Sequence, residues 1–213
     1  MSSLWTENIE MPEFPTLEKD IRTQVLIIGG GMAGVLCAYF LQQAGVDYCL
    51  LEKDRICQGV TGHTTAKITA QHGLIYEKSL QSMGQERAEL FLKANLRAVE
   101  NYKNLGRFLD CDMEETDSYL YSVRERRKLE SEIQALGSLG FQADYTEDTE
   151  LPFEVEGAIR FPRQAQFQPL KFAAGISKNL RIYEHSEVRE MTEYFALTEK
   201  GSVAAEKIII ATH

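Results

Sequence analysis

Apolar residues first gather at Val25-Leu26-Ile27-Ile28, a four-residue run that stops on three glycines. A short unbroken aliphatic run closed by turn residues predicts a strand buried on both faces, as in parallel sheets. Residues 32–44 then place Leu36, Tyr39, Phe40 and Leu41 at helical spacing. Ala44-Gly45 predicts the stop of that helix, because glycine accepts the left-handed conformation at a helix C-terminus. Tyr48 to Leu51 predicts a second apolar strand, ending at Glu52. The opening pattern is therefore βαβ.

Before it, residues 1–20 read as an extended arm, with Pro12 and Pro15 excluding a helix. After it, residues 59–73 turn polar and turn-prone, with four threonines, two histidines and three glycines. Residues 85–109 predict a long amphipathic helix, with Phe91, Ala94, Asn95, Ala98, Tyr102, Leu105 and Leu109 on its inner face. A strand is expected at 117–123, a highly charged helix at 124–139, strand and loop over 141–168, and a short helix at 170–179. Strands are expected at 181–192, 194–197 and 205–212, with a turn at Glu199-Lys200-Gly201. The fold class is α/β: a Rossmann-like nucleotide-binding domain over 21–73 and 181–213, interrupted by a mixed α+β lobe over 74–180.

Gly29-Gly30-Gly31-Met32-Ala33-Gly34 fits G-x-G-x-x-G and sits between a predicted strand and a predicted helix. Gly29 permits the tight turn, Gly31 lets backbone approach a pyrophosphate, and Gly34 lets the helix pack closely on the sheet. The helix N-terminus offers unpaired N–H groups and partial positive charge to phosphate. Glu52 stands where a carboxylate accepts hydrogen bonds from a ribose diol and repels a 2′-phosphate, which disfavours NADP. These residues leave FAD and NAD both open.

Composition narrows the partners. A formal net charge of −9 opposes nucleic acid and an anionic membrane surface. The chain has no run of 18 apolar residues, and Met1–Pro15 lacks the basic and apolar regions of a secretory signal, so the cytoplasm is the expected compartment. Four cysteines form no CxxC pair, and with the four histidines they offer no close metal-ligand spacing, so no metal site is expected. Arg124, Arg126, Arg127 and Lys128 alternate with acids and read as a solvated helix face. His72 reads as a structural loop histidine, and no catalytic residue is assigned.

The stretch Val25–Gly34 together with Leu51-Glu52-Lys53 resembles the N-terminus of the D-amino-acid-oxidase-like (DAO) FAD-dependent oxidoreductases. Gly59-Val60-Thr61-Gly62-His63-Thr64-Thr65-Ala66-Lys67-Ile68-Thr69 resembles the family segment that runs past the pyrophosphate and flavin. Its continuation through Gln71-His72-Gly73-Leu74-Ile75-Tyr76 is similar to bacterial members that carry a C-terminal Rieske domain. Ala165–Leu170 resembles a segment of the substrate lobe, with Gln168 where histidine is frequent. Lys207–Thr212 resembles the strand that normally ends in Ala-Thr-Gly, His213 replacing the glycine.

The resemblance implies FAD as cofactor. It implies contacts from Gly29, Gly31, Met32, Ala33, Gly34, Glu52, Lys53, Thr64, Thr65, Ala66, Lys67, Val188, Ala211 and Thr212, with Val188 backbone at the adenine. A charge on Lys67 beside the flavin N1–C2=O edge would stabilise the anionic reduced ring. The implied activity is oxidation of a small amine or amino acid by hydride transfer to flavin. An NAD-dependent dehydrogenase and a non-catalytic dinucleotide-binding module are the alternatives. Because His213 follows an apolar strand directly, the expectation is an N-terminal part, incomplete at its C-terminus and itself inactive, with any Rieske ligands beyond it.

Overall fold

The computed structural model describes residues 9–212. In chain order the elements are β1 (Ile21–Ile28), α1 (Met32–Gln43), β2 (Tyr48–Leu51), a 3-10 turn (Val60–His63), β3 (Lys67–Ile68), α2 (Tyr76–Met83), α3 (Gln85–Gly106) and β4 (Glu114–Ser122). They continue with α4 (Arg126–Ser138), β5 (Asp144–Thr146), β6 (Gly157–Gln166), α5 (Pro169–Ser177), β7 (Ile182–Tyr183), β8 (Glu190–Met191), β9 (Phe195–Leu197) and β10 (Ser202–Ile210). Two compact units result. The first comprises the described part of Met1–Thr65, Leu109–Cys111 and Gln168–His213, and the second Ala66–Phe108 and Asp112–Phe167. The outer changeovers thus fall at 65/66 and 167/168, against the 73/74 and 180/181 expected from the sequence, and Leu109–Cys111 makes a brief return to the first unit between them. One reason is α5, which packs on α1 and belongs with the first unit.

The first unit is built on a six-stranded sheet of order β7-β2-β1-β10-β9-β8. β7, β2, β1 and β10 run parallel, and β9 and β8 add an antiparallel edge. The expected βαβ unit is present: β1 pairs β2 in parallel from Val25↔Tyr48 to Ile28↔Leu51, and α1 crosses between them. Leu26, Cys49, Leu50 and Leu51 are buried, as a strand covered on both faces demands. The arm from residue 9 to 20 is without helix, and Leu17 anchors it in the core. Residues 1–8 of that arm, and His213, lie outside the described residues.

Two expectations here are corrected. The strand expected over 181–192 survives only as β7 and β8, because the backbone from Glu184 to Ser186 bonds to other partners. The His185 N–H donates to the Asp54 carbonyl at 3.0 Å and the Ser186 N–H to the Glu52 carbonyl at 2.8 Å. β10 is longer than expected, starting at Ser202.

The second unit carries a smaller antiparallel sheet, β3-β6-β4 with β5 also on β6, and the helices α2, α3 and α4. The inner face of α3 is rotated from the expected one: Ala88, Leu92, Val99, Lys103 and Gly106 are buried, while Phe91, Ala94 and Ala98 are exposed. Hydrophobic spacing missed this because a lysine occupies the seam. The Lys103 ammonium is held by Glu100 at 2.9 Å, by Glu115 at 2.5 Å and by the Arg163 carbonyl at 3.1 Å. Its aliphatic stem packs inward.

Helix α2 has no counterpart in the sequence reading. Its eight residues are too few to form from propensity alone, and its N-terminus has no local side-chain cap. Glu132, on α4 and 1% exposed, supplies one from a distance. Its two carboxylate oxygens accept the N–H groups of Tyr76 and Glu77, each at 2.8 Å. The Tyr76 ring stacks near Phe161, its hydroxyl donates to the Ala70 carbonyl, and burial pushes that phenol well above its ordinary pKa. Replacing Glu132 by alanine strands two N–H donors in the interior. Equilibrium denaturation should show a loss of about 1–3 kcal/mol relative to the parent.

Candidate cofactor-binding cleft

The parallel strands of the first unit end at a cleft of about 850 Å³. Its wall is the turn from β1 into α1, the segment after β2, residues 186–188, and Ala211-Thr212 after β10. A cleft at the carboxyl ends of parallel strands is where open α/β sheets bind ligands.

The glycine turn is shaped by close contacts. Gly29 has φ +109°, and a Cβ there would stand 2.7 Å from the Ala211 carbonyl oxygen. A Cβ on Gly34 would fall 1.9 Å from the Gly29 carbonyl oxygen, so only glycine lets α1 start this close to β1. Gly31 is different in kind. A Cβ there meets nothing nearer than the Thr61 Oγ1 at 3.9 Å, so it would project into the cleft and not into protein. That is the surface a pyrophosphate needs.

Gly31 is the N-cap of α1. Among the described residues the N–H groups of Gly31 and Ala33 donate to no protein acceptor, whereas the Met32 N–H donates to the Thr61 hydroxyl at 3.2 Å. Two free donors at a helix start, with the positive end of the helix dipole behind them, suit an anionic phosphate.

Glu52 is fixed by backbone. Its Oε2 accepts the Gly30 N–H at 2.6 Å and its Oε1 the Asp54 N–H at 2.9 Å. An ionised carboxylate has about four acceptor sites, so two remain for hydroxyl donors. The cleft thus joins a helix end with free N–H donors to a carboxylate held by backbone, and the residues present fit the ADP part of a dinucleotide.

Of the residues expected to touch a cofactor, Gly29, Gly31, Met32, Ala33, Glu52, Lys53, Val188, Ala211 and Thr212 line this cleft, and Gly34 supports it from behind. Thr64 and Thr65 close the stretch Met1–Thr65 of the same unit and are not in the lining. Ala66 and Lys67 open the second unit. Ala66 is buried with φ +58°, and Lys67 is exposed on β3 opposite Gln166.

Sequence reasoning missed Gly30, which the motif leaves free. Here a Cβ would sit 2.8 Å from the Ile56 Cγ2 and 3.0 Å from the Glu52 Cβ. It also passed over Thr61 and Cys57, although Thr61 lies in the threonine-rich stretch. Gln168, standing where histidine is frequent in relatives, caps α5: its side-chain oxygen accepts the N–H groups of Leu170 and Lys171 at 2.7 and 3.0 Å.

The family profile for FAD-dependent oxidoreductases (DAO) matches residues 24–213. The chain belongs to this family, whose cofactor is FAD. Among curated relatives, a Bacillus subtilis (strain 168) protein named as a Rieske 2Fe-2S iron-sulfur protein, YhfW, is 35% identical over 191 residues, covering 85% of this chain and 38% of its own length. The gamma-glutamylputrescine oxidoreductase of Escherichia coli (strain K12) is 24% identical over 220 residues, covering 93% and 50%. The chain therefore spans half or less of these two relatives. Among solved structures, L-proline dehydrogenase from P. horikoshii superposes with a TM-score of 0.72 at 20% identity, over 94% of this chain and 54% of that one. Glycine oxidase from Geobacillus kaustophilus gives 0.64 at 20% identity, over 90% and 55%. These two likenesses establish the fold.

Cys57 lines the cleft yet is 3% exposed. Its N–H donates to the Gly30 carbonyl at 2.9 Å, and burial pushes its thiol up to about 12, as it does that of Cys49. A thiol raised that far stays almost wholly protonated at pH 8, and the thiolate is the nucleophile. Iodoacetamide at pH 8 should therefore spare Cys49 and Cys57 in the folded protein and label both after unfolding, as read by mass spectrometry. Rapid labelling of either before unfolding would contradict the burial.

Proposed function

We propose that this chain holds the ADP half of FAD in a protein that oxidises a small amine or amino acid. The observation that carries the reading is the pairing of two free helix-start N–H groups, at Gly31 and Ala33, with the backbone-fixed carboxylate of Glu52. When bound, the flavin supplies a hydride acceptor for oxidation of a C–N bond. The chain's own part is to bind and orient. The α1 start takes the pyrophosphate charge, Glu52 takes the ribose diol, and Val188 with Ala211-Thr212 borders the remaining wall.

Thr64, Thr65, Ala66 and Lys67 continue the cofactor segment in this reading, with the Lys67 ammonium supplying positive charge to the reduced ring. The substrate class rests on relatives named for proline and gamma-glutamylputrescine. The name of the Bacillus subtilis relative supports a longer protein in which electrons pass to an iron–sulfur centre, with molecular oxygen as the other acceptor. No helix among the described residues is long and apolar enough to cross a membrane. A cytoplasmic setting belongs to the same reading.

The test is FAD titration of the full-length protein, followed by anaerobic mixing with a panel of amines and amino acids. Saturable FAD uptake and bleaching of the flavin absorbance by at least one compound are expected. Gly31→Val should weaken FAD binding on the order of 10- to 100-fold, as expected of side-chain bulk costing about 1–3 kcal/mol where it does not fit. A protein that takes up NAD and not FAD would overturn the reading.

A further inference from the structure

A second carboxylate lies behind the cleft, outside its lining. Glu184, 2% exposed, follows β7 where the strand breaks. Its Oε1 accepts the Ile56 N–H at 2.8 Å, and its Oε2 accepts the Phe14 N–H at 3.2 Å and lies 3.7 Å from the Arg55 Nε. It thus holds two stretches distant in sequence, the segment after β2 and the N-terminal arm. Arg55 repeats the link, reaching the carbonyls of Met11 and Pro12 at 3.4 and 3.3 Å.

The consequence runs through four consecutive bonds. Glu184 fixes the Ile56 N–H. The next N–H, of Cys57, donates to the Gly30 carbonyl at 2.9 Å. The Gly30 N–H in turn donates to the Glu52 Oε2, and the backbone just before Ile56 supplies the Asp54 N–H that holds the Glu52 Oε1. Both clamps on the diol-binding carboxylate therefore depend on the course of residues 53–57, which Glu184 sets from below. A buried carboxyl group is costly unless its oxygens are partnered, and here two N–H groups donate to them and a guanidinium stands 3.7 Å away.

We propose that Glu184 is a positioning residue for the cofactor's ribose: it acts through residues 53–57 to aim Glu52, and so sets the preference of this cleft for a free diol over a 2′-phosphate. The inference rests on the FAD reading and extends it to a residue that never meets the cofactor. Glu184→Gln keeps one acceptor oxygen, so its NH2 must face either the Ile56 N–H or the Phe14 N–H and Arg55, and one of these holds is lost. Glu184→Asp keeps the charge beside Arg55 but is one methylene too short to reach Ile56.

The experiment uses the full-length protein stripped of flavin, with ADP-ribose and 2′-phospho-ADP-ribose as competitors against FAD. Wild type should bind ADP-ribose more tightly than its 2′-phosphate. In Glu184→Asp, and to a smaller degree in Glu184→Gln, which keeps one acceptor oxygen, that ratio should fall by about tenfold, with FAD affinity falling alongside. A loss of folding alone would weaken both competitors in proportion and leave the ratio intact, so an unchanged ratio in the variants overturns the inference while leaving FAD binding standing. Should Glu184→Gln not fold, the ratio in Glu184→Asp decides. A wild-type protein that binds neither FAD nor ADP-ribose overturns the inference and the functional reading together.

Discussion

The approach of Gly34 to the Gly29 carbonyl is the contact on which the first unit is arranged. With hydrogen in place of a methyl at position 34, α1 starts on the last residue of the turn out of β1, where a Cβ would come within 1.9 Å of that oxygen. The close start has three results. The helix N-terminus opens at the carboxyl end of the sheet, the Gly31 and Ala33 donors face outward, and β1 and β2 are brought side by side beneath the helix. The place proposed for phosphate is therefore a packing outcome as much as an electrostatic one.

The carboxylates divide the remaining work by depth. Glu52 stands in the cleft wall with both oxygens already engaged by backbone, which costs little reorganisation when a diol arrives. Glu184 stands beneath, away from solvent, and ties residues 53–57 and the arm to the end of β7. Glu132 performs a related task in the second unit, where it starts α2. In each case an acid sits where two N–H groups converge, and Glu132 and Glu184 are near in space and remote in sequence from the donors they serve.

That separation explains what the sequence disclosed. The βαβ unit, the close packing at Gly29 and Gly34, and the place of Glu52 at the end of β2 were all legible, because the motif, the strand run and the helical period are local. Helix α2 was not, since its cap comes from Glu132, 56 residues from Tyr76. The inner face of α3 was misread because Lys103 fills a seam position that hydrophobic spacing reserves for apolar residues. Glu184 was hidden inside a predicted strand, its meaning set by Ile56 and Phe14, 128 and 170 residues away. Gly30 looked interchangeable, because the motif records what the cofactor needs and not what Ile56 needs.

The proposed FAD site centres on the start of α1, taken as the place of the phosphates. The measurement closest to it is amide hydrogen exchange at single-residue resolution, with and without FAD. The Gly31 and Ala33 amides have no protein acceptor and should exchange rapidly in the free protein, then slow by on the order of tenfold or more when FAD binds. FAD that binds while both amides keep their free-state exchange rates would contradict the account.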